Sequence, residues 1–103
     1  MSLANDLAAV QDGHIRLAVL RLLQAQPSYC LNDSVLHEAV GAIGLPCTRD
    51  QMRGHLGWLT EQRLVTTSAA GTGLIVATLS ERGGEVAAGR SVVDGVQRPS
   101  PKG

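Results

Sequence analysis

The second half of this chain allows few folds, because its helix cap, its apolar spacing and its turn residues all point one way. The run Thr48-Arg-Asp-Gln-Met-Arg-Gly-His-Leu-Gly-Trp-Leu-Thr-Glu-Gln-Arg-Leu-Val65 opens on a capping threonine with Asp50 in the first turn, where an acid favours the positive end of the helix dipole. Met52, Leu56 and Leu59 recur at i, i+4 and i+7, which predicts one core-facing stripe. Val65 to Ala70 and Leu74 to Ser80 are β-prone and flank Gly71-Thr72-Gly73, a hairpin turn. Ser80 to Gly89 then reads as a short last helix, weakened by Gly83 and Gly84.

Upstream, Leu3, Leu7 and Val10 repeat at three- and four-residue spacing, as an added N-terminal helix or as an extension of the next one. From Gly13 to Gln26 the residues Ile15, Ala18, Val19, Leu22 and Leu23 share a helical face, Leu17 and Leu20 widen it, and Pro27 ends the helix. Ser28 to Leu31 is a short extended stretch. Asn32, Asp33 and Ser34 offer caps for a helix carrying Val35, Leu36, Ala39, Val40 and Ile43, with Gly44 as its left-handed terminator and Pro46 barring continuation. Gly44 to Cys47 therefore joins two helices at helix-turn-helix spacing. The expected fold is α+β but mainly helical: a winged helix-turn-helix with a three-helix core, a two-stranded hairpin wing and a short C-terminal helix. Residues 1–12 form the N-terminal extension or short helix, 13–89 the domain, and 90–103 a mostly flexible tail in which Val92, Val93 and Val96 retain the means to dock.

Composition narrows the function. At 103 residues the chain supports one modest core, and Tyr29 and Trp58 are its only aromatics, so aliphatic residues must fill that core. No apolar run approaches the roughly 20 residues of a membrane span, and the N-terminal residues lack the pattern of a secretory signal; a soluble cytoplasmic protein without membrane association is expected. Cys30 and Cys47 read as a reduced cytosolic pair with one or both buried. With no Cys-x-x-Cys or His-x-x-x-His cluster, neither metal nor another cofactor is expected. No phosphate-binding glycine loop, nucleophile motif or acid pair suggests an enzyme. Net charge is zero, which counts against strong nucleic-acid binding, since phosphate neutralisation supplies much of that affinity.

Residues 13–88 resemble winged-helix regulators of the ArsR and MarR kind. Gly54-His-Leu-Gly-Trp-Leu-Thr-Glu-Gln-Arg-Leu-Val65 is similar to the ArsR pattern Ser-x-His-Leu-x-x-Leu-x-x-x-Gly-Leu-Val at His55, Leu56, Leu59, Leu64 and Val65. Thr78 to Gly83 is similar to the Leu-Thr-x-x-Gly that closes many such wings. Two departures stand out. The Cys-x-Val-Cys motif of metal-sensing members has no counterpart, so metal sensing is not implied, and Arg63 stands where the pattern has glycine. Short proteins of this build also occur in Mu-like prophages, which this chain resembles as well.

The resemblance implies double-stranded DNA as partner, transcriptional regulation as role, and a homodimer formed through the N-terminal segment or the last helix. On the helix begun by Thr48, Arg49, Gln51 and Arg53 are the expected base readers, since Arg suits guanine and Gln suits adenine in the major groove. Thr48 and Thr72 are expected phosphate contacts. Asp50 and Glu61 on the outward stripe oppose this, and so does a wing without a single charge from Thr66 to Ser80. The competing expectation is a protein-docking module that uses a Gly54-x-x-Gly57 notch beside Trp58. For Trp58 itself, packing against its own chain is the plainer reading, and His14, His37 and His55 read as structural. Arg90, Arg98 and Lys102 add charge to the tail.

Overall fold

A computed structural model describes residues 2–100. It has four helices and a three-stranded antiparallel sheet in the order α1 (Leu3–Gln24), β1 (Cys30–Asn32), α2 (Asp33–Ala42), α3 (Arg49–Glu61), β2 (Val65–Ala70), β3 (Leu74–Leu79) and α4 (Glu81–Ala87). The molecule is therefore α+β and mainly helical. No helix among the described residues is long and apolar enough to cross a membrane.

Helix starts fall at polar caps. Ser2 caps α1 by accepting the Asn5 N–H at 3.2 Å, so the extension and the helix beginning near Gly13 are one continuous 22-residue element. Of the three candidate caps for α2, Asn32 takes the position and accepts the Val35 N–H at 2.9 Å. Gly44, with φ of +88°, follows that helix. Thr48 forms a full capping box on α3: its hydroxyl accepts the Gln51 N–H at 3.0 Å, while the Gln51 side chain accepts the Thr48 N–H at 2.8 Å.

The sheet corrects one expectation. The hairpin is not two-stranded in isolation, because Cys30, Leu31 and Asn32 pair antiparallel with Thr78, Ala77 and Val76. That pairing gives the extended segment before α2 partners for its backbone groups, which would otherwise be unmatched beside the core. It makes β3 the central strand, in the order β1-β3-β2.

The core gathers Val19, Leu20 and Leu23 from α1, Leu36 and Val40 from α2, and Met52, Leu56 and Leu59 from α3. Leu64, Val65 and Ala77 close it beneath the sheet, and Val86 and Ala87 of α4 pack beside them. Residues beyond Gly89 were expected in a mostly flexible tail, yet Val93 and Val96 are buried and the Gln97 N–H donates to the Gly13 carbonyl at 3.1 Å. Apolar burial and that backbone bond draw residues 91–97 onto α1, so the folded unit runs past residue 89. Pro101 and Lys102 lie outside the described residues.

Two backbone features explain local sequence choices. Arg63 has φ of +63°, the left-handed conformation that glycine adopts without strain; this is the position where the regulator pattern places glycine. Gly83, which weakens α4 by propensity, is required by packing. A Cβ there would lie 2.1 Å from the Leu64 carbonyl oxygen and 2.7 Å from a Leu79 methyl, so only glycine lets α4 approach the α3–β2 junction. Gly83→Ala is expected to lower the unfolding free energy by about 3 kcal/mol in urea denaturation, whereas Gly57→Ala, whose added methyl meets nothing within 4 Å, is expected to raise it by up to about 1 kcal/mol.

Candidate functional site

One carboxylate organises the region where the reader residues were expected. Asp33 is the first residue of α2 and is wholly buried. Its Oδ2 accepts from Arg49 Nε and Nη2 at 3.3 and 3.2 Å and from Arg53 Nε at 2.8 Å. Its Oδ1 accepts the Ile75 N–H at 3.0 Å. The starts of α2 and α3 and the first turn of β3 therefore meet at a single side chain. Burial on its own would raise the Asp33 pKa; the Ile75 N–H and the two guanidinium groups override that and hold it at about 2, against an ordinary 3.8.

Arg49 and Arg53 are one helical turn apart and lie on the same side of α3. Their side chains remain 40% and 38% exposed although both are tied to Asp33. Each guanidinium spends part of its donor fork inward and presents the rest outward. Arg53 also donates through Nη2 to the Gly73 carbonyl at the hairpin turn. The β2–β3 hairpin, which carries no charge of its own, is thereby given a neighbouring cation at its turn, next to exposed Thr72.

The other expected residues divide. Thr48 and Gln51 are exposed but serve each other in the capping box, so the Gln51 amide is engaged with the backbone. Gly54 and Gly57 lie open on the outer surface of α3 with nothing within 4 Å of an added methyl. Trp58 is half-buried against its own chain: the Arg16 guanidinium sits over its ring at 4.0 Å, and a Cβ on Gly95 would come within 2.6 Å of it. It is therefore the packing residue of the plainer reading.

His55 belongs to the same inner cluster. Its Nδ1 accepts from Arg16 Nε at 3.2 Å, and its Nε2 lies 3.6 Å from Asp12 Oδ1. Arg16 also donates to the Gly95 carbonyl at 3.1 Å. Burial, then the Arg16 charge, lower the His55 pKa, and Asp12 opposes them. These side chains hold residues 91–97 against α1 and α3 in a structural role. His37 reaches the Cys47 carbonyl at 2.8 Å. Cys30 and Cys47 are unpaired and half-buried, and burial pushes the Cys47 thiol up. No group of three or more His, Cys, Asp or Glu with the geometry for a metal occurs among the described residues.

Sequence comparison supplies a family. The chain is 42% identical over 87 residues to the uncharacterized protein gp26 of Escherichia phage Mu, covering 84% of this chain and 88% of that one. The chain belongs to the family of Mu gp26. An uncharacterized protein of Haemophilus influenzae is also similar, 37% identical over 67 residues, 65% of each chain. The likeness to a small protein of phage Mu thus extends over most of the chain. No protein-family model matches, and no solved structure matches.

What sequence reasoning missed was Asp33, which appeared only as one of three alternative caps. A usable signal was present in Arg49 and Arg53 at i and i+4, a spacing that allows two guanidinium groups to share one acid. The stability effect of Asp33 has a defined sign. Its folded pKa lies below the unfolded value, so its contribution is complete above about pH 4 and is lost as pH falls through about 2. The shift corresponds to about 2 kcal/mol. Asp33→Asn is expected to cost roughly that much in urea denaturation at neutral pH, and the gap to the wild type should close near pH 2.

Proposed function

We propose that this protein binds double-stranded DNA as a small winged helix-turn-helix module, with α2 and α3 as the helix-turn-helix and the β2–β3 hairpin as the wing. In a phage-related chain of this size, transcriptional regulation is the role that reading suggests. The observation that carries it is the pair Arg49 and Arg53, fixed side by side on Asp33 at the N-terminal end of α3, with Arg53 also bound to the hairpin turn. Two half-exposed guanidinium forks, held without freedom to collapse onto the surface, suit phosphate oxygens or a guanine edge. The N-terminal part of the second helix is the part that such motifs insert.

Charge sets the expected strength. Asp50 on the first turn of α3 and the inward carboxylate of Asp33 offset the two arginines, so few phosphates are neutralised. With about two phosphates contacted, the slope of log K against log salt should be near −2, far shallower than for a strongly basic domain. Thr72 at the turn adds a neutral donor, while Gln51 is committed to its cap. The exposed glycines at 54 and 57 favour a second reading, a docking partner whose backbone approaches α3 closely; Trp58, covered by Arg16 and Gly95, offers it no aromatic anchor.

Fluorescence anisotropy of a labelled duplex across a salt series tests the proposal. Binding should weaken with salt at that shallow slope. It should fall about tenfold in Arg49→Ala, which leaves Arg53 on Asp33, and similarly in Thr72→Glu, which sets an acid against phosphate at an exposed turn. Asp50→Asn should tighten it. A wild-type protein that binds no duplex even at low salt would overturn the reading.

A further inference from the structure

Residues 91–97 form a strap across α1 and α3, and its fit is close. Val93 and Val96 are buried, and the Gln97 N–H and the Gly95 carbonyl tie the strap to Gly13 and Arg16 of α1. Gly95, with φ of +97°, lies against the Trp58 ring, where a Cβ would come within 2.6 Å. The Arg16 guanidinium covers the same ring at 4.0 Å. Arg16 is thus the side chain that joins the strap, α1 and α3.

A titratable group holds Arg16 in that place. Its Nε donates to His55 Nδ1 at 3.2 Å, so Nδ1 carries a lone pair and the ring proton sits on Nε2. A further proton on His55 goes to Nδ1. There it removes the acceptor that faces Arg16 Nε and sets two cations against each other, around a ring only 7% exposed. Asp12, on the Nε2 side, is 3.6 Å away and 47% exposed; it lies beyond hydrogen-bond distance and half in water, and compensates only in part. The Cys47 thiol, in the loop before α3, is pushed up by burial and by the same Asp12. Asp94, the one acid of the strap, and His14, next to Gly13, are exposed.

We propose that residues 91–97 are a proton-released strap: protonation of His55 displaces Arg16 from Gly95 and Trp58, and the strap lifts to uncover Trp58 beside Gly54 and Gly57. Burial and the Arg16 charge hold the His55 pKa below its ordinary 6.5 while the strap is docked. The docked form therefore binds this proton more weakly than the open form does. Docking is complete well above pH 6.5 and is lost as pH falls below it. One proton changes the docking equilibrium by at most about tenfold per pH unit. The device does not rest on DNA binding, since Asp33, Arg49 and Arg53 take no part in it.

Trp58 is the one tryptophan of the chain, so its fluorescence reports the strap directly. Acrylamide quenching of the full protein should rise at least about twofold between about pH 7.5 and about pH 5, with the helical circular dichroism unchanged. In His55→Asn an amide oxygen stands in for Nδ1 and cannot be protonated. Quenching should then stay at its neutral-pH level throughout, although His14 and His37 still titrate. Gly95→Ala should undock the strap at every pH and bring the titration of the His55 ring, followed by proton magnetic resonance, up toward 6.5. Wild-type quenching that does not change with pH would overturn the inference. So would a His55→Asn protein that still opens in acid, or a His55 titration that is the same with and without Gly95→Ala.

Discussion

Asp33 is buried and charged, and that combination is tolerable only because four donors from α3 and β3 converge on it. A lone buried carboxylate would shed its charge by taking up a proton. Here the opposite holds, with the pKa held at about 2. The same contacts tie α2 to α3, and both to the start of β3, so the helix pair and the hairpin share one anchoring acid. Removing a single partner leaves charge uncompensated inside the protein, which is why such pairs resist piecemeal change.

The binding surface proposed for α3 is a by-product of that constraint. Long arginine side chains on an exposed helix ordinarily sample many rotamers and lose entropy when they bind. Arg49 and Arg53 have already lost much of that freedom to Asp33, and Arg53 is further tied to the turn at Gly73. In the proposed complex, preorganisation of this kind would compensate for a neutral chain and a hairpin without charges. It also assigns the arginines two jobs, so a variant that removes one of them is informative only beside a variant, such as Thr72→Glu, that leaves the network intact.

Much of the fold was legible because local chemistry and long-range packing agree. Asn32 and Thr48 start helices where polar caps precede apolar periodicity, and Met52, Leu56 and Leu59 are fully or almost fully buried as their spacing requires. Arg63 stood out only as a departure from the pattern's glycine, and its left-handed backbone emerged with the structure. What escaped depends on separation along the chain. β1 is three residues long and acquires strand character only from β3. Residues 91–97 carry few local signals, and their place is set by Gly13, Arg16 and Trp58, with the Arg16–Gly95 bond alone spanning 79 positions. The Asp33 cluster spans 16, 20 and 42 positions, so charge pattern alone does not show which arginine meets which acid.

The most direct measurement is a nuclear magnetic resonance titration of labelled protein with a short duplex, following the Nε–H signals of Arg49 and Arg53 together with backbone amides. Binding through the proposed face predicts that these two side chains and the amides of Thr48, Arg49, Thr72 and Gly73 shift together and saturate at one concentration, while α1 and residues 91–97 stay unchanged. Shifts that spare Arg49 and Arg53, or that gather on another face of the molecule, would contradict it.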